Sequence, residues 1–347
     1  MLTPIIGATL PGRARRALVA MVAALLLAGC TGSAPSDGPT LPTPAAPDAR
    51  SVAASTAAIR SDLAALQQIA DQHGGNRAAG TPGHDASVAY VTGRLLAAGY
   101  RPQVQRFELQ SDTDQAVQPG TNILAELPGT RSDNVVMVGA HLDSVPAGPG
   151  MNDDASGAAA TLELARQLAG ARLPATVRFA WWDGEELGHQ GSNHYVGALD
   201  EPARQRIAAY LNLDGIGSPN FVRQVYQVDD ASPPGSEVIE RTLSSYFHAQ
   251  RLPVELVELG GRSDHAAFAA AGIPIGGLFT GTDRKTHQEQ ATYGGTTGPA
   301  DACNHQSCDN LGNINLTVLD QMEQAARYAV ATLARDTSPL DRARDRG

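Results

Sequence analysis

The sequence predicts an α/β fold: a single domain with a mixed, mainly parallel central sheet and helices on both faces. Three observations carry this. Segments with apolar residues at helical spacing alternate with short β-rich runs from about residue 140 onward. The run Val135–Ala140 is continuously apolar, as a strand buried on both faces should be. Polar and charged residues gather just past the ends of such runs, at His141, Asp183 to Glu186 and Asp214. In open parallel sheets function collects at the carboxyl ends of strands.

The elements follow in order. Ile59, Leu63, Leu66, Ile69 and Ala70 recur at helical spacing, and His73-Gly74-Gly75 ends that helix. A second helix follows the Gly80-Thr81-Pro82-Gly83 turn, with Val88, Val91, Leu95 and Ala98 on one face and Gly99 as its stop. Strands are predicted at Gln103–Leu109, Asn122–Leu127 and Val135–Ala140. A helix over 157–168 leads to a strand at Thr176–Trp182 and a helix from Ser192. Then come the strand Ile207–Leu213, helices at 237–248 and 264–271, the strand Ile275–Phe279 and a terminal helix at 316–334.

The ends of the chain read differently. Arg13, Arg15 and Arg16 precede an apolar run from Ala17 to Leu27, too short to span a bilayer and suited to a signal-peptide core. Leu27-Ala28-Gly29-Cys30 resembles a bacterial lipobox, so residues 1–29 are expected to be removed and Cys30 acylated. Residues 30–50 are rich in Pro, Ala and Ser and read as a flexible tether. The catalytic domain is expected over 51–336, with 337–347 a polar tail. The net charge is −10, and removing the +3 of the first 30 residues leaves −13. Such a surface argues against nucleic acid or an anionic membrane as partner, leaving contact with the membrane to the lipid on Cys30. The expected location is the cell envelope, outside the cytoplasm, with the protein a tethered monomer.

Cys303 and Cys308 are open to three readings: a disulfide, two free thiols, or two thiolate zinc ligands. An extracytoplasmic location favours the disulfide, and a lone Cys pair makes a poor structural zinc site.

The candidate chemistry lies in five clusters. His141 is followed two residues on by Asp143, whose carboxylate can fix the imidazole tautomer. Asn152-Asp153-Asp154 opens a helix; Asp154 reads as a cap, and Asp153 as a carboxylate able to bridge two cations about 3.5–4 Å apart. Glu185 and Glu186 are adjacent and would repel unless positive charge sits between them or one holds a proton. A metal beside Glu186, with Glu185 hydrogen-bonding its water, resolves this. Asp214 is another strand-end carboxylate, and His305 sits inside the Cys303–Cys308 loop. Among other histidines, His189 lies one turn past Glu186, and His265 reads as a helix-start or site-wall residue. His73, His84, His194, His248 and His287 have no assignable carboxylate partner.

Together these motifs resemble the secreted bacterial dinuclear-zinc aminopeptidases, the leucine-preferring, compact single-domain type. The resemblance runs from about Ile59 to Leu333. It includes Gly74-Gly75-Asn76-Arg77, Trp181-Trp182, Leu211-Asn212-Leu213-Asp214, Gly261-Arg262-Ser263-Asp264-His265 and Gly276-Gly277-Leu278-Phe279-Thr280-Gly281. It implies two Zn2+ per chain, one held by His141 and Asp214 and the other by Glu186 and His305, with Asp153 bridging. Glu185 is then the general base, Asp143 the orienter of His141, and Arg262 and Asn304 substrate-binding residues. The implied reaction removes the N-terminal residue of peptide substrates. Rival readings are a zinc exopeptidase of other end preference, a glutaminyl cyclase with one zinc, or a non-catalytic surface binding lipoprotein.

One departure matters. Those aminopeptidases carry a tyrosine, an oxyanion donor, where this chain has Asn304, and Tyr293 is a candidate substitute. One lost donor of this kind costs roughly 10²–10³ in turnover. Asn304→Tyr is therefore expected to raise kcat on a leucyl anilide, measured by steady-state kinetics; an unchanged kcat overturns the assignment.

Overall fold

In the computed structural model, residues 49–110, 117–131, 134–258 and 260–345 are described. The expected leader, Cys30 as the expected acylation site, and nearly all of the expected tether lie outside the described residues.

Eight strands form one sheet: β1 (Gln103–Leu109), β2 (Gln118–Leu127), β3 (Val135–His141), β4 (Thr176–Trp182), β5 (Ile207–Leu213), β6 (Gln224–Tyr226), β7 (Glu255–Val257) and β8 (Ile275–Phe279). Their order is β1-β2-β4-β3-β5-β8-β6-β7. The centre, β4-β3-β5-β8, is parallel, so its carboxyl ends share one edge. β1 and β2 add antiparallel strands on one side, and β6 runs antiparallel to β8 on the other. Every residue of β3 and of β5 is buried.

The period-two alternation of these strands divides the core. Val136, Val138 and Ala140 face one layer with α1 (Ala49–Gln72), α2 (Pro82–Ala97), α3 (Ser156–Leu168), α6 (Ser236–Ala249) and α9 (Leu316–Arg335). Val135 and Met137 face the other, with α4 (Gln190–Gly197) and α7 (His265–Ala270). The neighbouring Trp181 and Trp182 point to opposite layers. Each indole N–H is satisfied, Trp181 by the Ala158 carbonyl at 3.0 Å and Trp182 by the Tyr210 hydroxyl at 2.8 Å.

The structure corrects the sequence reading at its short elements. β6 and β7 have three residues each, too few to display alternation. α5 (Glu201–Arg206) and α8 (His287–Tyr293) bury no residue, so neither carries an apolar stripe. Residues expected as a polar tail instead form α10 (Ser338–Arg344), which buries Leu340 and Ala343 against the main core. Two apolar positions three apart gave too weak a period to read. Among the described residues, no helix is long and apolar enough to cross a membrane.

Glu323 of α9 is fully buried, neither carboxylate oxygen has a hydrogen-bond partner, and the Arg327 Nε lies 3.8 Å away. Burial raises its carboxyl from 4.5 to about 8, with Arg327 opposing and Glu163 and Asp320 adding to the shift. Between those values the folded state keeps a proton that the unfolded chain releases, so this group's contribution to stability falls as pH rises through the window. Glu323→Gln cannot ionise. It is expected to match the parent near the bottom of the window and to exceed it by on the order of 5 kcal/mol above the top. Thermal unfolding across pH checks this; a constant Tm difference overturns it.

Candidate active site

The parallel strands deliver their terminal residues to one place. His141 ends β3, Asp183 to Glu186 follow β4, and Asp214 follows β5. Asp153 comes from the turn Met151–Ala155 before α3, and His305 from the loop closed by the Cys303–Cys308 disulfide. Of the three readings of that pair, the disulfide is the one formed.

Asp153 stands at the centre. Its Oδ1 lies 3.0 Å from His141 Nε2, and its Oδ2 lies 3.1 Å from His305 Nε2. His141 Nε2 is also 3.7 Å from Asp214 Oδ1, while His305 Nε2 is 3.2 Å from Glu186 Oε2. One carboxylate thus faces two donor sets, His141 with Asp214 and His305 with Glu186. Glu185 flanks the first, its Oε2 4.0 Å from His141 Nε2.

Buried side chains hold these groups by their backbone. Asp143 accepts from the amides of Glu185 (3.2 Å) and Glu186 (3.3 Å), which fixes the turn that carries both glutamates. The His141 Nδ1 lies 3.1 Å from the Asp143 carbonyl and 3.5 Å from its carboxylate, so the main chain of Asp143 shares the orienting role expected of its side chain. Asp154 accepts from Gly157 N (2.9 Å), as a helix cap does, and also from His141 N (3.2 Å) and Gly215 N (3.1 Å), tying the ends of β3 and β5 together. Arg77, fully buried, donates to the carbonyls of Leu142, Pro149 and Gly150 and so pins the segment between His141 and Asp153.

Sequence reasoning missed two acids that flank the disulfide. Asp309 accepts from the amides of Asn152 (2.8 Å) and Asp153 (3.1 Å), and Asp301 accepts from the Asn152 side chain at 2.6 Å. They couple the His305 loop to the Asn152-Asp153 turn. Their signal in the sequence was the placement of an aspartate outside each cysteine. His84 has a carboxylate partner after all, Asp183 at 3.1 Å. His189 reaches Glu185.

The electrostatics match a cation site. Burial pushes the Glu185 carboxyl well above its usual range, and burial likewise raises Glu186. Burial opposes charge on His141, yet Glu185, Asp143, Asp153 and Asp214 together raise it well above its ordinary value. His305 is raised to about 10 by Asp153 and Glu186. Burial raises Asp153 too, but the two imidazoles hold it below the carboxylate range. The carboxylates therefore demand positive charge at both imidazole tips, and mixed N/O donor sets of this kind suit divalent cations. Glu186 Oε1, buried without a hydrogen-bond partner, fits the same need. His141, Asp153 and Glu186, and likewise His141, Glu185 and Asp214, each offer ligand atoms within 4.8 Å of one another.

The cluster opens into a cleft of about 200 Å³, with Arg262, Phe279 and Asn304 on its walls. Asn304 Nδ2 donates to Asp153 Oδ2 at 2.6 Å. Tyr293 does not line this cleft. It packs on Phe221, under Arg223 and Lys285, and is no substitute oxyanion donor.

Comparison with known proteins agrees with this geometry. The sequence profile of Peptidase family M28 matches residues 122–330, a span that holds every clustered residue. Leupeptin-inactivating enzyme 1 of Streptomyces exfoliatus is 44% identical over 284 residues, covering 80% of this chain and 62% of that protein. An aminopeptidase of Pseudomonas aeruginosa is 46% identical over 227 residues, covering 63% of this chain and 42% of its own length. The chain thus spans less than two thirds of either relative. The structure of a zinc aminopeptidase from Bacillus subtilis shares the fold, with a TM-score of 0.67 at 18% identity over 81% of this chain and 96% of that one. The chain belongs to Peptidase family M28.

Proposed function

We propose that this protein is a metallo-aminopeptidase that removes N-terminal residues, preferably large and apolar, from peptides outside the cytoplasm. The observation that carries the reading is the Asp153 carboxylate, whose two oxygens face separate His-and-carboxylate sets. His141, Asp214 and Asp153 would hold one zinc ion, and His305, Glu186 and Asp153 the other. Such a pair supplies Lewis acidity toward the scissile carbonyl and makes water a nucleophile at neutral pH.

The protein's own groups do the rest. Glu185 takes the proton of the attacking water and returns it to the leaving amine. Its raised affinity for a proton, set by burial, suits a group that must both accept and donate. The free α-ammonium of the substrate pairs with Glu185 and Asp214, an interaction an acylated terminus cannot make. Gly215 and Phe279 offer the first side chain an apolar wall. A Cβ at Gly215 would meet the Phe279 ring at 3.1 Å, so glycine keeps that corner open.

The Cys303–Cys308 disulfide supports an oxidising compartment. With the lipobox-like leader it favours a monomer tethered to the cell envelope through Cys30.

Hydrolysis of a leucyl anilide should be lost on chelation and restored by zinc, with an N-acetylated analogue left uncut. Metal analysis is expected to give two zinc ions per chain; a ratio near one favours the cyclase reading. Glu185→Ala should lower kcat by roughly 10²–10⁴ while zinc stays bound. Retained turnover removes Glu185 from its role.

A further inference from the structure

We propose that His189 is a positioning residue for Glu185, holding one carboxylate oxygen so that the other stays aimed at the reacting water. This rests on the aminopeptidase reading and adds to it a residue outside the donor sets.

Two independent observations carry it. The first is contact: His189 Nε2 lies 3.4 Å from Glu185 Oε1, while Oε2 lies 4.0 Å from His141 Nε2. The general base is thus flanked by two imidazoles on different oxygens. One belongs to the donor sets, and the other lies on the turn that follows.

The second is backbone conformation. His189 has φ 58° and ψ 34°, in the left-handed region where a β-carbon is unfavourable and glycine is the ordinary choice. The turn closes on Glu185 itself, because the amides of Gly188 and His189 both donate to the Glu185 carbonyl at 2.9 Å. His189 then starts α4 without capping it, since its side chain accepts no helix amide. The imidazole is therefore not needed to build the turn or the helix. The strained backbone brings it back over the carboxylate of the residue four positions earlier.

The chemistry needs such a restraint. A carboxylate that takes a proton from water and passes it to a leaving amine must keep one oxygen on the line between them. A donor on the opposite oxygen limits rotation about the terminal bond of Glu185.

The test compares the parent with His189→Gly and His189→Gln in the zinc-loaded full chain, reading kcat and KM on a leucyl anilide, zinc per chain and Tm. Glycine accepts the backbone without strain, so Tm should hold or rise. kcat is expected to fall by roughly 10–100-fold with KM and zinc content unchanged. Glutamine, which restores a donor of similar reach, should recover part of the loss. A glycine variant with kcat within about twofold of the parent overturns the proposal, and so does a loss of kcat that tracks loss of zinc or of Tm. A parent protein that fails to cut the anilide overturns the aminopeptidase reading, and this inference with it; that outcome shows in the parent arm alone.

Discussion

The site is organised by one carboxylate divided between two partners. Asp153 presents Oδ1 to His141 and Oδ2 to His305. The position of Asp153 is fixed from its backbone: its own amide and that of Asn152 are both held by Asp309. Asp309 lies just beyond the disulfide loop that carries His305. Asp153 and His305 are therefore a single mechanical unit, and moving the loop moves both.

The parallel centre of the sheet supplies the other half. β3, β4 and β5 end at one edge, so residues distant in sequence arrive there without long connecting loops. Buried acids then adjust the fit: Asp143 holds the turn with Glu185 and Glu186, and Asp154 ties the amides of His141 and Gly215. These acids act on main-chain amides, which are placed by the fold and lose little entropy on pairing. The cluster gathers like charges that would otherwise force the strand ends apart. Burial raises the proton affinity of Glu185, Glu186 and Asp154, and neighbouring carboxylates add to it.

Much of this was legible in the sequence. Long elements announced themselves through period and continuous apolarity, and β1, β4, β5 and β8 lie where the pattern placed them. His141, Glu185, Glu186 and Asp214 stood out as polar groups just past apolar runs, Asp153 at a helix start and His305 inside a cysteine loop, and their pairing came from the family resemblance. What could not be read was either too short to carry a period, like β6, β7 and α10, or depended on tertiary contact. His84 and Asp183 are 99 positions apart in the sequence, and only the packing of α2 against the β4 end unites them. Asp301 and Asp309 looked like loop acids because their partners are backbone amides, which leave no trace in residue type. His189 was noticed one turn past Glu186, but nothing in the sequence announces its left-handed backbone.

Asn304 shows how a residue on the cleft wall can be engaged with a neighbouring carboxylate. Sequence reasoning took it as a substrate-binding residue at the position of an oxyanion donor, and the structure has it on the cleft wall. Its amide is instead engaged with Asp153 Oδ2, beside His305. A carboxylate oxygen has two lone pairs, so such a donor can remain while the other lone pair serves a cation. A side chain committed in this way helps fix the Asp153 carboxylate. In the proposed two-metal reading, where this single amide points would then help set the balance between holding that carboxylate and serving the substrate.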